Sequence, residues 1–169
     1  MTTTSYSVHP TPIGRALVVV SDEGLVALHI LDGPHDDELA EVSAALREVP
    51  DHDADATVHV TAQLDEYFAG RRRRFDVPLD WRLVEGFTRE ALQAVCEIPY
   101  AQTASYGEVA IAAQRPRAHR AVGTACARTP ISIVVPAHRV VRADGSIGEY
   151  GGRPEIKRFL LDLEAATGE

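Results

Sequence analysis

The residue types that could carry chemistry stand together at positions 136–140, which read Pro-Ala-His-Arg-Val at the end of the apolar run 131–135. His138 is expected to be held there, and a glutamate such as Glu164 in the last helix could accept its ring N–H and fix its tautomer. A His–Glu pair of this kind takes the proton from a cysteine thiol, because the thiolate is the nucleophile. Residue 137 is alanine, which has no lone pair. The residues alone therefore favour an ordinary structural histidine.

The chain has two cysteines, Cys96 and Cys126, whose spacing predicts neither a zinc site nor a disulfide. Two roles are open for Cys126: a reactive thiol in place of the one missing at position 137, or a small buried cysteine that fills packing space. The second role is favoured, because no motif places a histidine beside it. Cys96 is expected in the core, and the sequence predicts neither a metal nor a cofactor.

Charge is distributed unevenly along the chain, which has 17 Lys and Arg against 25 Asp and Glu and a net charge of −8. An acidic protein is a poor partner for phosphate, yet residues 114–142 contain six arginines, two histidines and no acid. This pattern predicts one basic face on an acidic body, which would orient the protein on DNA. A solvated helix and loop surface is the alternative. The four arginines at 71–74 are more typical of a solvated turn after a helix, with a phosphate contact as the other interpretation.

The general composition is that of a soluble globular protein, with 45% hydrophobic and 25% charged residues. The N-terminus lacks the basic start and the apolar core of a signal peptide. No apolar run approaches the roughly 20 residues that a membrane-spanning helix needs. We therefore expect a cytoplasmic protein without a membrane partner.

The first half of the chain has the patterns of a sheet with helices. Val- and Leu-rich segments joined by a tight turn predict a β-hairpin at 15–20 and 25–31. Helices are expected at 36–48 and 61–68, where apolar residues recur at helical spacing. The remaining segments are a loop at 50–55, a strand at 75–79 and, at the expected domain boundary, a linker at 80–86.

The second half has the patterns of a helical domain. Ser105-Tyr106-Gly107-Glu108 fits a capping box at the start of a helix that runs to residue 113, and a helix at 118–127 follows after a short break. Two helices joined by a tight turn, with arginines beside the second, are typical of a helix-turn-helix. The other expected elements are a helix at 87–96, a buried extended run at 131–135, a turn at 144–145 and a last helix at 154–165 that buries Ile156, Phe159, Leu160 and Leu163.

Several motifs in register identify a family that the chain resembles over nearly its whole length. They are Pro12-Ile13-Gly14, Tyr67-Phe68-Ala69-Gly70, Ile98-Pro99-Tyr100, Ser105-Tyr106-Gly107-Glu108, Arg120-Ala121-Val122-Gly123, residues 136–140, Tyr150-Gly151-Gly152 and, in the last helix, Lys157, Leu160, Leu161 and Glu164. In order and spacing these motifs resemble the O6-alkylguanine-DNA alkyltransferases, or methylated-DNA-protein-cysteine methyltransferases. The resemblance implies an α+β fold. An N-terminal RNase H-like α/β domain would occupy residues 1–82, and a helical DNA-binding and active-site domain with a winged helix-turn-helix would occupy residues 83–169.

The resemblance also implies how the protein would meet DNA. Its helix-turn-helix would enter the minor groove, with Tyr106 at the phosphate of a flipped base and Arg120 in the place that the base has left. Extruding the base costs a few kcal/mol, and less where an alkyl group has already weakened its pairing. A monomer is implied as well. The resemblance places Tyr106, Arg120, Ala121, Gly123, Ala125, Arg128 and Arg139 at the DNA, and Cys126, Pro136, Val140, Tyr150, Gly151 and Gly152 around the flipped base.

At three places the chain departs from the family pattern. Ala137 stands where the acceptor cysteine is expected, next to His138 and with Glu164 as the third member of the group. Thr129 replaces an asparagine, and Ala91-Leu92 replace Val-Trp. One branch of the family, the alkyltransferase-like proteins, also lacks the cysteine; it binds alkylated guanine and hands the lesion to nucleotide excision repair.

The predicted function is therefore that of a DNA-repair protein that binds and flips O6-alkylguanine in double-stranded DNA without alkyl transfer. Nucleotide excision repair proteins are candidate partners. With alanine at position 137, the chain is not expected to be an enzyme. Two alternatives stay open: an O6-methylguanine-DNA methyltransferase whose acceptor cysteine was changed to Ala137 to trap a complex, and a degenerate scaffold that binds DNA or a protein.

Overall fold

The computed structural model describes residues 3–148 and 150–168 and contains two compact units. The first unit runs to Leu83 and also includes residues 130–132, and the remaining residues form the second unit. The first is a sheet with two helices, and the second is mainly helical. The α+β class expected from the sequence is confirmed. Within the described ranges, no helix is both long enough and apolar enough to cross a membrane.

Four strands form the sheet of the first unit: β1 (Thr4–Thr11), β2 (Gly14–Ser21), β3 (Gly24–Ile30) and β4 (Asp51–His52). Their order is β3-β2-β1-β4, and all neighbours are antiparallel except for the parallel pair of β1 and β4. The predicted hairpin of β2 and β3 is confirmed, and the apolar residues in the middle of both strands are fully buried. β1 was not predicted, because its polar residues lack the apolar run that marks the other two strands.

Two helices, α1 (His35–Leu46) and α2 (Ala54–Phe68), complete the first unit. α2 begins inside the segment that was expected to be a loop. Its start is set by Asp53, whose carboxylate accepts hydrogen bonds from the backbone N–H groups of Asp55 (3.1 Å) and Ala56 (3.2 Å). The cap satisfies two backbone donors that no residue inside the helix can reach. The buried residues of α2 are Thr57, Val60, Thr61, Gln63, Leu64 and Tyr67.

Two short segments cover the edge strand β3. The strand expected at 75–79 does not form; instead, residues 78–80 exchange two backbone hydrogen bonds with Leu25, of 2.8 and 2.9 Å. Residues 130–132 exchange two with Leu28, also of 2.8 and 2.9 Å. Because an edge strand leaves a row of N–H and C=O groups open to pairing, these contacts close part of the β3 edge.

The second unit contains α3 (Gly86–Val95), β5 (Ala104–Ser105), α4 (Tyr106–Ala112), α5 (His119–Ala127), β6 (Val140–Val141) and α6 (Pro154–Thr167). The four helices expected here are confirmed to within two residues at each end. β5 and β6 pair in parallel, and a turn at 142–146 follows β6. The turn forms a wing beside the helix-turn-helix of α4 and α5.

The run 131–135 is buried as expected, but it is not extended. It forms a turn in which Ile133 has a φ of 70°, a left-handed conformation that β-branched residues rarely adopt. Ile131, Ile133 and Val135 are each at most 1% exposed. The prediction of an extended run was wrong because a short apolar stretch signals burial without fixing the backbone conformation.

α6 buries a different stripe from the one expected. Phe159 remains 39% exposed and Leu163 is half-buried. Two charged residues, Lys157 and Glu164, are buried in the unit instead. The buried residues of α6 are Ile156, Lys157, Leu160 and Glu164.

Candidate functional site

A short turn positions the central residues of the site. Ala137, His138 and Arg139 form one turn of 3₁₀ helix between the buried Pro136 and the first residue of β6. The Ala137 N–H donates to the Val135 carbonyl (2.8 Å), and the Arg139 N–H donates to the Pro136 carbonyl (2.9 Å). Ala137 is 2% exposed, so its methyl group lies inside the unit.

His138 and Glu164 form the pair that the sequence suggested. Nε2 of His138 lies 2.7 Å from Oε2 of Glu164, and both side chains are buried. Because a carboxylate only accepts, Nε2 carries the proton, and the lone pair of the neutral ring is on Nδ1. Among the described residues, Nδ1 has no hydrogen-bond partner. Burial lowers the pKa of His138 below its usual range, although Glu164 opposes the shift, and the ring is therefore neutral near pH 7.

Arg139 holds the same glutamate from the other side. Its Nε donates to Oε1 of Glu164 (2.8 Å), its Nη2 to Oε2 (3.0 Å) and its Nη1 to the carbonyl of Ile98 (2.8 Å). The guanidinium carbon lies 5.5 Å from the centroid of the Tyr100 ring. The backbone N–H of Ala101 adds a further bond to Oε1 of 3.2 Å. Among the described residues, at least four donors outside its own helix, including the His138 ring, therefore fix Glu164.

The placement of Arg139 corrects its expected role. The residue is only 7% exposed, and its guanidinium is occupied inside the unit. It therefore has no free face for a DNA phosphate, and it instead orients the carboxylate that fixes His138. Sequence reasoning assigned it to the DNA because arginines are almost never buried unless they are paired, and the pairing was not visible.

Lys157 was named from the sequence only as a motif residue of the last helix and was not predicted in the site. It is fully buried, and its Nζ donates to the carbonyl of Val140 (2.5 Å) and lies 5.8 Å from the centroid of the Tyr106 ring. Burial lowers the pKa of Lys157 to about 8, against the opposing influence of Cys126. Its spacing from Leu160 and Glu164 on one face of a helix was the available signal.

Tyr106 is the first residue of α4, and its surroundings are a helix cap and two glycines. The predicted capping box is present, with the Ser105 N–H donating to Glu108 (2.9 Å) and the Glu108 N–H donating to the Ser105 hydroxyl (3.0 Å). A Cβ atom at Gly123 would lie 3.9 Å from the Tyr106 ring, and one at Gly148 would lie 3.1 Å from its hydroxyl oxygen. The two glycines therefore leave the space that the tyrosine occupies.

One face of α5 is exposed, and three of the seven residues predicted at the DNA lie on it or directly after it. Arg120, Ala121 and Arg128 are exposed. Ala125, which was predicted beside them, is 1% exposed and faces the core, so its predicted place at the DNA does not fit its position. Thr124 was not predicted on this face; it is exposed one helical turn after Arg120 and donates its hydroxyl to the Arg120 carbonyl (3.2 Å).

The residues predicted around a flipped base differ in their exposure. Pro136 and Val140 are buried, Cys126 and Tyr150 are half-buried, and both glycines are exposed. Gly151 and Gly152 have φ values of 55° and 78°, in the region that favours glycine.

Neither cysteine has the character of a nucleophile. Burial raises the pKa of Cys126 to about 12, with Lys157 opposing the shift, and it raises the pKa of Cys96 to about 11. Both thiols are therefore protonated near pH 7. In the part of the chain that the structure describes, no group of three or more His, Cys, Asp or Glu side chains could hold a metal ion.

Comparison with known proteins covers both units. The model of the 6-O-methylguanine DNA methyltransferase ribonuclease-like domain matches residues 4–81, and the model of the DNA binding domain matches residues 86–166. The methylated-DNA–protein-cysteine methyltransferase of Methanosarcina barkeri is 38% identical over 161 residues, which is 94% of this chain and 96% of that protein.

Solved structures from Mycobacterium tuberculosis are similar over nearly the full chain. The crystal structure of its O6-methylguanine methyltransferase matches with a TM-score of 0.82 and 35% identity, over 97% of this chain and 94% of that one. The structure described as M. tuberculosis OGT in complex with DNA matches with a TM-score of 0.81 and 35% identity, over 96% and 94% of the two chains.

Proposed function

The chain belongs to the 6-O-methylguanine DNA methyltransferase family, and from this membership we propose that it binds O6-alkylguanine in duplex DNA without transferring the alkyl group. One observation carries the proposal: Ala137 precedes an intact His138–Glu164 pair. The protein retains His138 as the base and Glu164 as the residue that orients it. The neighbouring alanine, however, is not a nucleophile that this base could activate.

Transfer is absent because Ala137 offers no acceptor atom and neither Cys126 nor Cys96 is a thiolate. Alkyl transfer needs an atom with a reactive lone pair, and the alanine methyl has none. Cys126 and Cys96 are held as thiols by burial, with pKa values of about 12 and about 11. Since the thiolate is the nucleophile, neither cysteine replaces the missing acceptor.

DNA binding is assigned to α4 and α5. Arg120 is exposed in the first turn of α5 and Arg128 is exposed directly after its end, and residues 114–142 contain no acid that would repel phosphate. Tyr106 is held in place at the start of α4 by its capping box and by two glycines. Its fixed ring supports a role at the phosphate of the flipped nucleotide.

Lesion recognition follows from the cost of flipping. A base whose pairing is weakened by an alkyl group costs less to extrude than guanine does, so a protein that stabilises the flipped state senses the lesion without chemistry. We propose that Arg120 fills the vacated place in the stack and that Tyr150, Gly151 and the turn around Val140 surround the base. Without transfer, the bound lesion must pass to another repair system, and nucleotide excision repair is the proposed recipient.

A second candidate function is favoured by the completeness of the Glu164 network. His138, Arg139 and Ala101 all donate to this carboxylate, so the groups that would activate a cysteine at position 137 are in place. In that case Ala137 replaces a cysteine of an otherwise active protein. The codon at position 137 of the source gene separates the two: a cysteine codon there excludes the sensor function.

The proposal is tested by titrating the protein against matched duplexes that carry O6-methylguanine or guanine at one site, at fixed salt. We expect a preference of about tenfold, or about 1.4 kcal/mol, for the lesion. Arg120→Ala should remove most of this preference, whereas Arg142→Ala, an exposed arginine on the wing, is the matched control. Equal affinity of the wild-type protein for both duplexes would refute lesion recognition.

A further inference from the structure

The four arginines at 71–74, which we call the tetra-arginine loop, follow α2 in the first unit and have no place in the function proposed above. Residues 1–83 contain 15 Asp and Glu and seven Lys and Arg, and four of those seven are in this loop. Residues 84–169 contain ten of each sign. The acidic unit therefore concentrates most of its positive charge in one four-residue segment.

The start of the loop is fixed by the end of α2. Gly70 has a φ of 75°, which turns the chain out of the helix, and its N–H donates to the Tyr67 carbonyl (3.0 Å). The N–H of Arg71 then donates to the Glu66 carbonyl (2.9 Å). These bonds set the direction in which the loop leaves the helix.

The far end of the loop is fixed by two further contacts to the same helix. The ring of Phe75 lies 5.4 Å from the ring of Tyr67. The side chain of Gln63 accepts from the Asp76 N–H (2.8 Å) and donates to the Asp76 carbonyl (3.0 Å). The loop is thus anchored on both sides and is not a freely moving turn.

Within the loop, one arginine is structural and the others are presented to solvent. Arg72 donates from Nη1 to the Arg74 carbonyl (2.8 Å), and its Nη2 lies 3.5 Å from Oε1 of Glu66. Arg71, Arg73 and Arg74 are exposed. Across residues 3–148 and 150–168, Arg71 and Arg74 have no ion-pair partner.

We propose that the tetra-arginine loop is a second contact of this protein with the phosphate backbone of DNA. An anchored loop loses little backbone entropy on binding, and guanidinium groups match phosphate oxygens in charge and geometry. The acidic remainder of the unit opposes association from solution. Once the second unit has bound DNA, however, the tethered loop meets phosphates at a high effective concentration.

The inference rests on the proposed function only in that DNA is the ligand, and the salt dependence of binding tests it. The variant R71Q/R74Q removes two unpaired charges and leaves Arg72 in place. The matched control, R15Q/R47N, removes two arginines of the same unit outside the loop; asparagine suits position 47, whose φ is 59°. Binding to a duplex with one O6-methylguanine is measured over a range of salt concentrations.

For R71Q/R74Q we expect the slope of log Kobs against log salt to become less steep by about 1.8, because each lost phosphate contact removes about 0.9. R15Q/R47N should keep the wild-type slope, and R71K/R74K should restore it, since lysine retains the charge. Thermal melts of all variants check that the fold is unchanged.

Three outcomes would overturn the inference. One is a wild-type slope in R71Q/R74Q; another is an equal loss in R15Q/R47N, which would reflect net charge alone. The third is a loop variant that changes only self-association in size-exclusion chromatography, which would identify an acidic second copy as the partner. If the wild-type protein prefers the lesion duplex but its slope does not depend on the loop, only this inference fails. If it binds neither duplex, the proposed function fails too.

Discussion

Restoring a cysteine at position 137 tests the chemistry of the site most directly. Ala137 opens the 3₁₀ turn with its methyl group inside the second unit, and the change adds one sulfur atom there. The neighbouring His138 keeps a lone pair on Nδ1, while Glu164 accepts from Nε2. We therefore expect Ala137→Cys to take one methyl group from O6-methylguanine in a duplex, whereas the wild-type protein takes none.

The magnitude follows from the two native cysteines. Burial raises the pKa of Cys96 to about 11 and that of Cys126 to about 12. Near pH 7 only roughly 10⁻⁴ to 10⁻⁵ of such a thiol is ionised, against a few per cent of an exposed one. A buried thiol at position 137 would be as inert without a base. Since a positioned base contributes about 10²- to 10⁴-fold in rate, adding His138→Gln to Ala137→Cys should slow transfer by roughly that factor.

The assay follows the mass of the protein after incubation with a duplex that contains one O6-methylguanine. Glutamine at position 138 can still donate an N–H to Glu164, so the double variant should remain folded, and its thermal melt serves as the control. If Ala137→Cys binds the lesion duplex but gains no methyl group, the role assigned to position 137 is wrong. If adding His138→Gln to Ala137→Cys leaves the transfer rate unchanged, His138 is not the base.

Three further predictions concern the buried charges and the packing around Tyr106. Arg139→Leu should lower the free energy of unfolding by about 3–5 kcal/mol in denaturant titrations, because it leaves a buried carboxylate short of donors, whereas Arg128→Leu on the exposed face of α5 should stay within about 0.5 kcal/mol. Lys157 has a folded pKa of about 8, below its unfolded value, so the unfolded chain binds more protons above that pH. From pH 7 to 9 the wild-type protein should gain about 1 kcal/mol relative to Lys157→Met, and an unchanged difference would contradict the buried ammonium. Gly148→Ala should weaken DNA binding and lower the melting temperature, because its Cβ would lie 3.1 Å from the Tyr106 hydroxyl at a φ of 74°. If the variant keeps the melting temperature and the DNA affinity of the wild-type protein, the turn at 142–146 shifts to accept the methyl group and the prediction is wrong.

Local patterns were sufficient to predict the helices of the second unit. The capping box at Ser105 and Glu108 fixes where α4 begins, and Pro154 at the first position of α6 fixes the last helix. The pairing of His138 with Glu164 could also be predicted, because the ring N–H of a held histidine needs an acceptor and a glutamate in the last helix can supply one. These features depend on neighbours in sequence or on a single long-range contact.

The remaining features depend on tertiary partners that no local pattern encodes. Arg139 and Lys157 are charged, and charged residues are buried only when partners such as Glu164 and the Val140 carbonyl meet them. Ala125 is small and apolar, and such a residue fits either face of a helix. β1 and the turn at 131–135 were missed for the same reason, since pairing and packing override their local preference.

The hydrogen bonds of residues 130–132 to Leu28 have a consequence for proteolysis. Because this segment completes the edge of a sheet whose strands all precede Leu83, the chain passes between the two units three times. A single cleavage after Leu83 would therefore produce two fragments that are not two separate domains: the longer one would still supply a segment to the fold of the shorter one. In such a nicked protein, the longer fragment would have to pair with Leu28 of the shorter one to complete the β3 edge.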